Sequence, residues 1–270
     1  MTGGKPVVLC FSGLDPSGGA GLQADIETLH SLGCHCAPVA TTLTVQDTAN
    51  ASRAAPVAAE LMLEQARAVL ADLRVRCFKL GLIGAAGAAR AIGGLLREHR
   101  EIPVVLDPVS AAGGGYAFSG AEALAALRES VLPLVTVATP NTEEAMQLAP
   151  GADSADAAAA ELARAGCGHV LLTGGHEDGA EVVNRWHRGG VAPVAFRWPR
   201  LERAYHGSGC TLAAAIAGNL ALGRDVEDAL RQAQQFTWHA LSRGWRAGAG
   251  QYLPDRSGPA AAAAGPGAGS

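Results

Sequence analysis

The 270-residue sequence lacks several features that mark whole classes of protein. It has no apolar run of about 18 residues or more, the length that spans a bilayer, so we expect no membrane partner. It has no excess of basic residues, and its formal net charge of −4 argues against nucleic acid as the main partner. The first residues offer only a short apolar run that leads into a glycine-rich loop, so we expect no signal peptide.

A disulfide or metal framework is also missing. Six cysteines are scattered through apolar segments, so we expect reduced core thiols rather than disulfides. Cys34 and Cys36 bracket His35, but no second cluster of Cys or His at ligand spacing accompanies them, which disfavours a metal site there. The cysteines are Cys10, Cys34, Cys36, Cys77, Cys167 and Cys210.

The apolar residues that are present alternate between short strand-like runs and longer helical runs. Residues 7–13 and 37–45 predict strands, and residues 21–33 predict a helix with Gly33 as its C-terminal cap. The alternation continues with strands at 77–84, 104–109, 134–140 and 169–175, and with helices at 57–73, 87–99, 120–132, 142–148, 155–165, 211–222 and 226–242. Strands apolar on both faces predict a doubly wound α/β fold, with a mostly parallel sheet flanked by helices.

The end of the chain departs from this alternation. Two runs that meet near residues 189–190 predict a pair of antiparallel strands. No repeat or boundary divides the chain, so we predict one domain over residues 1–247. Residues 248–270 are rich in glycine, alanine and proline, and we expect a disordered or loosely packed tail.

In open α/β sheets the ligand site lies beyond the carboxyl ends of the strands, so the residues that follow each predicted strand are candidates. After the first strand come Gly13, Gly18, Gly19 and Gly21, which let the backbone approach a ligand and free its N–H groups. The loop fits neither a Walker A nor a G-x-G-x-x-G pattern. Asp25 follows near the first turn of a helix, either as a ligand contact or as a partner of the helix dipole.

Three further strands end in polar residues. The Gln46 amide can donate and accept at once, which suits an aminopyrimidine edge, although an exposed loop amide is the alternative. Asp107 ends an apolar strand, where it could hold a Mg²⁺-bound water, hold a phosphate-bound metal or cap a loop. Asn141 and Glu144 could serve Mg²⁺ indirectly, form a capping box, or do both.

The last candidate is the segment before the helix predicted at 211–222. Gly207, Ser208 and Gly209 can present successive N–H groups at a helix N-terminus, which favours an anion. Cys210 at this position predicts a thiol with a lowered pKa, able to act as a base or as a nucleophile. A cysteine that merely packs at the start of a helix is the alternative. Together these parts suit phosphoryl transfer, which needs charge stabilisation, a metal and an oriented nucleophile.

The sequence resembles the hydroxymethylpyrimidine/phosphomethylpyrimidine kinases of the ribokinase-like superfamily from about residue 7 to residue 222. The resemblance lies in the ordered segments SGLDPSGGAGLQAD, TTLTVQDT, KLGLIG, VLDPV, TPNTEEA, TGGH and HGSGCTLAAAIAGNLALG. It implies a cytoplasmic homodimer that uses ATP and Mg²⁺ to phosphorylate 4-amino-5-hydroxymethyl-2-methylpyrimidine and then its monophosphate, giving the diphosphate used to build thiamine.

The resemblance also implies roles for particular residues. Cys210 is the expected base, and residues 207–209 are the expected anion hole. The expected substrate contacts are Gln46, Asp25 and Gly13, and the expected ATP or phosphate contacts are Asp107, Asn141, Glu144 and Thr173. Asn141 and Glu144 are also expected to serve Mg²⁺ through water or phosphate.

Two departures and three alternatives accompany the resemblance. Thr173 stands where the family usually has a lysine, and Arg185, Arg200 or Arg203 is a hypothetical substitute for its charge. The segment RLERAY, residues 200–205, also differs from the Asn-Thr pair that the family usually has there, which affects the expected adenine-side or lid contacts.

The alternatives are a pyridoxal kinase or another vitamin kinase, a thiol enzyme, and a relative that binds a pyrimidine without turnover. In the thiol enzyme Cys210 would be the nucleophile, paired with His206 or His176.

Overall fold

A computed structural model describes residues 4–175 and 179–258 of the chain. Within these ranges nine strands form one sheet with helices on both faces, which confirms the predicted α/β class. The elements are β1 Val7–Leu14, α1 Gly21–Ser31, β2 His35–Gln46, β3 Ala51–Pro56, α2 Ala59–Asp72, β4 Val75–Leu80, α3 Ala86–Glu98, β5 Val104–Leu106, α4 Ala121–Ser130, a 3-10 turn Leu132–Leu134, β6 Val137–Ala138, α5 Thr142–Leu148, α6 Ala155–Arg164, β7 His169–Leu172, β8 Glu181–Arg188, β9 Val191–Pro199, α7 Ser208–Ala221 and α8 Val226–Ser242.

The order of strands places a switch point near the centre of the sheet. The order is β3-β2-β1-β4-β5-β6-β7-β8-β9, and the strands from β2 to β7 in this order are parallel. The antiparallel strands β8 and β9 match the predicted pair, and β3 pairs antiparallel with β2 at the other edge. The chain leaves β1 for β2 on one side and returns to β4 on the other, so a crevice opens at their carboxyl ends.

Each face of the sheet buries its own core. Leu9 and Phe11 of β1 pack in the layer that includes α2 to α6. Val8 and Cys10 of the same strand pack in the layer that includes α1, α7 and α8. The side chains on both faces of β1 are therefore buried, which explains why apolar and polar residues do not alternate along it.

Two details of the secondary structure differ from the sequence prediction. Strand β3 was not predicted, because its run from Ala51 to Pro56 is short and mostly exposed and lies at an edge. Strand β6 covers only Val137–Ala138 instead of residues 134–140, because Leu132–Leu134 forms a 3-10 turn just before it. No helix in the described ranges is long and apolar enough to cross a membrane.

The expectation of a loose tail is wrong for residues 248–258, which we call the C-terminal strap. Its backbone bonds to other loops, from Gln251 to Thr48 and from Tyr252 to Ala204. Leu253 and Arg256 are buried at 4% and 3% exposure. Composition misled the prediction because the strap's few anchoring side chains stand among glycines and precede the alanine-rich end. Residues 259–270 lie outside the described part of the chain.

The predicted cap at Gly33 gives a test of the local structure. Gly33 follows the end of α1 with φ at +77°, and its site has no atoms within 4 Å of an added Cβ. We expect Gly33→Ala to lower the free energy of unfolding by about 1 kcal/mol, because only glycine adopts this backbone without strain. The matched control Gly94→Ala, in α3 and equally open, should raise it by about 0.5–1 kcal/mol. Urea denaturation measures both, and equal effects would contradict the assignment.

Candidate active site

A cavity of about 810 Å³ opens at the carboxyl ends of the parallel strands. Loops that follow β1, β4, β5, β6 and β7 contribute to its wall, together with the end of β2 and the first residues of α7. Most of the sequence-predicted site residues line it: Gly13, Gln46, Asp107, Asn141, Glu144, Thr173, Gly207, Ser208, Gly209 and Cys210. The structure therefore brings together residues that are separated by as many as 197 positions between the first and the last.

The helix-entry turn, residues 206–210, has the backbone geometry of an anion site. Gly207 precedes α7 with φ at +81°, a conformation that favours glycine. The first bond into the helix runs from the Thr211 N–H to the Gly207 carbonyl, so the N–H groups of Ser208, Gly209 and Cys210 lie ahead of it. These residues line the cavity, which places the positive end of the helix dipole at its wall.

The thiol at this turn differs from the sequence prediction. Burial raises the pKa of Cys210 to about 12, the Asp107 and Asp25 carboxylates add to the rise, and Lys79 and the Gly21 N–H oppose it. The prediction of a lowered pKa is wrong, because desolvation and two nearby anions outweigh the helix N-terminus. Cys210 is thus a protonated thiol in the ligand-free protein.

Two carboxyl groups, Asp107 and Glu144, line the cavity together with this thiol. Asp107 is almost fully buried next to Cys210, and its Oδ2 is buried without a partner. Burial raises the pKa of Asp107, while Lys79 and Cys210 act to lower it. Burial, reinforced by Asp107, also raises the pKa of Glu144 to about 8. The pair is short of positive charge, so it suits a proton or a cation.

The capping box predicted at the start of α5 is present. The Glu144 N–H donates to Asn141 Oδ1, and the Asn141 N–H donates to Glu144 Oε2, both at 2.9 Å. The Asn141 oxygen is therefore used by the helix, and Glu144 carries the carboxylate of this pair toward the cavity.

A magnesium ion fits the donors that remain. The unpartnered Asp107 Oδ2 and the Glu144 carboxylate are the oxygen ligands that Mg²⁺ prefers, and Mg²⁺ completes its shell with water and phosphate. Within the described ranges no group of three or more His, Cys, Asp or Glu side chains could hold a metal. The residues thus fit a cation held by two carboxylates and a phosphate-bearing ligand better than a closed protein cage.

Gln46 lies in a hydrogen-bonded group that sequence reasoning found only in part. Its amide nitrogen is 3.0 Å from His206 Nε2, which is 2.7 Å from Asp15 Oδ2. Burial would raise the pKa of Asp15, but hydrogen bonds with His206 and Ser17 lower it overall. Asp15 was missed, although its place after β1 in DPSGG marks it as a polar residue at a strand end. Gln46 thus lies beside the His206–Asp15 pair at the cavity wall.

Asp25 does not lie where the sequence interpretation put it. Its side chain is fully buried, with Oδ1 2.8 Å from Lys79 Nζ and Oδ2 2.6 Å from Ser12 Oγ. It does not belong to the cavity wall. The interpretation of Asp25 as a direct substrate contact is therefore wrong for this conformation, because the carboxylate is used by a buried lysine that the sequence gave no reason to pair with it.

The arginines proposed near Thr173 have different positions. Arg185 lies 3.8 Å from Asp156, and neither residue belongs to the cavity wall. Arg200 and Arg203 line the cavity together with Thr173. Arg200 also donates to the carbonyls of residues 175, 179 and 181. His176, considered as a partner of Cys210, lies outside the described residues.

Two tryptophans that sequence reasoning missed also line the cavity. Trp198 and Trp238 stack with ring centroids 6.5 Å apart and an interplanar angle of 28°. Trp198 Nε1 donates to Gln234, and Trp238 Nε1 donates to the Pro199 carbonyl, so both rings are fixed. They come from β9 and α8, and no motif links them. They give the cavity a flat apolar surface.

The protonation of Cys210 can be tested directly. We expect iodoacetamide at pH 7.5 to modify Cys210 at least about tenfold more slowly than it modifies glutathione, because little thiolate is present. Asp107→Asn should increase the rate, since it removes a charge that raises the thiol pKa. Peptide mass spectrometry follows the site, with Cys36, the other partly exposed cysteine, as an internal reference for access. Modification of Cys210 faster than that of glutathione would contradict this protonation state.

The buried ion pair gives a second test. We expect Lys79→Met to lower the free energy of unfolding by about 3–5 kcal/mol, because it leaves the Asp25 carboxylate buried without its cation. The double variant Lys79→Met with Asp25→Met should regain most of this loss, since neither charge then remains. Urea denaturation measures all three proteins. A single variant as stable as the unaltered chain would show that the pair is not formed.

The comparisons with known proteins identify a family for this chain. The model of the phosphomethylpyrimidine kinase family matches residues 15–255. The hydroxymethylpyrimidine/phosphomethylpyrimidine kinase of Rhizobium meliloti (strain 1021) is 38% identical over 251 residues, covering 91% of this chain and 94% of that protein.

Two solved structures share the fold. An ADP complex of Bacillus subtilis pyridoxal kinase matches with a TM-score of 0.85 and 27% identity, over 94% of this chain and 98% of that one. A phosphomethylpyrimidine kinase from Clostridium difficile 630 matches with a TM-score of 0.76 and 29% identity, over 88% of this chain and 100% of that one. From its sequence, its fold and the composition of its cavity, this chain belongs to the phosphomethylpyrimidine kinase family.

Proposed function

We propose that this chain phosphorylates 4-amino-5-hydroxymethyl-2-methylpyrimidine and then its monophosphate, with ATP as phosphoryl donor and Mg²⁺ as the required cation. The observation that carries the proposal is one cavity in which a thiol stands beside the helix N–H groups, with the Gln46 amide on the same wall. The name of the Rhizobium meliloti relative supports the substrate, and the ADP complex of the Bacillus subtilis kinase supports the nucleotide.

The pyrimidine end of the site is assigned to Gln46, with Gly13 as a backbone contact. A carboxamide offers one donor and one acceptor side by side, which match the ring nitrogen and amino group of an aminopyrimidine. The amide nitrogen lies 3.0 Å from His206 Nε2, and His206 pairs with Asp15. Asp25 acts from behind the wall, through Lys79, and touches no ligand in this proposal.

The phosphate end is assigned to the helix-entry turn. The N–H groups of residues 208–210 would stabilise charge on the phosphoryl group during transfer, where fixed dipoles are more effective than water. Mg²⁺ held by Asp107 and Glu144 would neutralise the nucleotide phosphates when it is bound. The stacked Trp198 and Trp238 offer a flat surface for the adenine ring.

Because Cys210 is protonated, it must lose its own proton before it can accept the proton of the substrate hydroxyl. Cys210 lies next to Asp107, whose pKa burial raises, so the Asp107 oxygen that does not face the cation would take the thiol proton. Cys210 Sγ would then accept the proton of the substrate hydroxyl while the hydroxyl oxygen forms its bond to phosphorus and ADP leaves. The thiol is thus proposed as a relay rather than as a resident thiolate.

The remaining expectations of the sequence are part of the same proposal. Arg200 and Arg203 line the cavity with Thr173, and they would supply positive charge near the phosphates where a lysine is absent. Asn141 would contribute through its cap on α5, which holds Glu144 in place. A cytoplasmic homodimer remains an expectation from the resemblance.

The proposal predicts that ADP release depends on the pyrimidine alcohol and that Cys210→Ala lowers kcat by about 10²- to 10⁴-fold, the usual loss when a proton-transfer group is removed. A coupled assay with ATP and Mg²⁺ measures both effects. Cys36→Ala is the matched control, because Cys36 is also partly exposed but does not belong to the cavity wall, and it should leave kcat unchanged. Full activity of the Cys210 variant would overturn the assigned role.

The same assay separates the alternatives. Pyridoxal supplied in place of the pyrimidine should give the lower kcat/KM, whereas the reverse ranking would indicate a pyridoxal kinase. A covalent adduct on Cys210 formed without ATP would indicate a thiol enzyme. Saturable binding of the pyrimidine alcohol without ADP release would indicate a sensing protein.

A further inference from the structure

The C-terminal strap places the buried Arg256 guanidinium between the helix-entry turn and the glycine-rich loop that follows β1. Arg256 is 3% exposed and makes three bonds from three nitrogens. Nε lies 2.8 Å from Thr211 Oγ1, Nη1 lies 2.9 Å from Glu27 Oε2, and Nη2 lies 2.5 Å from the Gly19 carbonyl oxygen. One guanidinium thus joins α7, α1 and the glycine-rich loop, which we define as residues 15–20.

The two loops that Arg256 joins touch through their backbones. A Cβ added at Gly207 would collide with the Gly19 carbonyl and with Arg256. Thr211, which accepts from Arg256, donates in turn to the Gly207 carbonyl at 2.8 Å. Arg256 therefore holds both carbonyl oxygens of this contact. It bonds to the Gly19 carbonyl directly and to the Gly207 carbonyl through the Thr211 hydroxyl.

An arginine is well suited to this position, because its planar group presents several donors in a fixed fork. A lysine has one nitrogen and cannot reach three acceptors on three elements at once. The carboxylate partner, Glu27, is 41% exposed, so the other two bonds are the ones that lie deep in the fold. Burying the Arg256 guanidinium costs desolvation free energy, which an exposed ion pair at the surface would not require.

The rest of the strap approaches the same site. Gln251 and His206 line the cavity, and Leu253 packs against Gly19 and pairs with Trp245. The His206 N–H donates to the Tyr252 carbonyl. The strap therefore reaches the helix-entry turn along its backbone as well as through Arg256.

We propose that Arg256 is a positioning residue for phosphoryl transfer: by bonding to Gly19 and Thr211 it sets the distance between the glycine-rich loop and the N–H groups of the helix-entry turn. The inference rests on the proposed kinase function. Because the turn would contact charge that develops during transfer, a shift of its amides should lower kcat more than it changes KM.

The test compares Arg256→Met with Arg243→Met in the full chain. Arg243 also anchors the strap, through Asp255 at 3.2 Å, but it touches neither glycine loop. Arg256→Met should lower kcat by about ten- to hundredfold, the loss typical of an ångström-scale displacement, with KM for the pyrimidine within about threefold. Arg243→Met should keep kcat, and Arg256→Lys should recover part of it. An unchanged kcat in Arg256→Met, or an equal loss in both, would overturn the inference.

A second variant covers the case in which Arg256→Met does not fold. Thr211→Val removes only the hydroxyl that links Arg256 to Gly207, and its shape is nearly the same. It should lower kcat by at least about threefold with KM retained. Normal kcat in this folded variant would then count against the inference.

Hydrogen exchange separates this inference from the kinase proposal. In Arg256→Met, but not in Arg243→Met, amides of residues 15–21 and 206–211 should exchange at least about tenfold faster. If the unaltered chain shows no pyrimidine kinase activity, the kinase proposal fails, and the exchange result still decides whether Arg256 fixes the loops. If kinase activity is present and neither exchange nor kcat changes, only the inference fails.

Discussion

The buried Lys79 ammonium offsets the carboxylates that surround the Cys210 thiol. Lys79 lies 2.8 Å from Asp25 and is close enough to Asp107 and Cys210 to affect the pKa of each. Without it, carboxylates and a thiol would face one another in a poorly hydrated space, and their charges would repel. Burial and the neighbouring Asp107 carboxylate still raise the pKa of Glu144, so this part of the site favours a proton or a cation. A nucleotide that brings its own metal would supply what the protein leaves out.

The helix N-terminus and the buried carboxylates affect the pKa of Cys210 in opposite directions. A helix N-terminus alone would favour a thiolate at Cys210, and the sequence shows only that contribution. The folded chain buries the thiol and adds the Asp107 and Asp25 carboxylates, so the pKa of Cys210 rises and the thiol keeps its proton. In the proposed mechanism, this thiol would pass a proton on during phosphoryl transfer, and its raised pKa would limit alkylation. The helix N–H groups then remain available for phosphate.

Backbone contact between glycine loops is the second constraint on the site. Gly207 has no room for a side chain beside the Gly19 carbonyl, so the approach of the two loops depends on glycine. Arg256 then fastens the contact from the C-terminal strap. Gly19, near the start of the chain, and Arg256, near the end of its described part, thus meet at the site.

The sequence by itself determined the features that depend on local pattern. Apolar runs set the α/β class, Gly33 marked the end of α1, and Asn141 with Glu144 marked the capping box, because each signal lies within a few residues. Strand ends also located most of the cavity wall, since parallel strands bring their carboxyl ends to one edge.

Only the tertiary structure decided the partner of Asp25, the proton on Cys210 and the contacts of Arg256. Each of these depends on groups far apart along the chain, such as Lys79 for Asp25 and Gly19 for Arg256. Electrostatic energy depends on distance and burial, which local sequence patterns do not encode. Composition placed residues 248–258 in a loose tail for the same reason, because it counts residues and not the contacts that a few of them make.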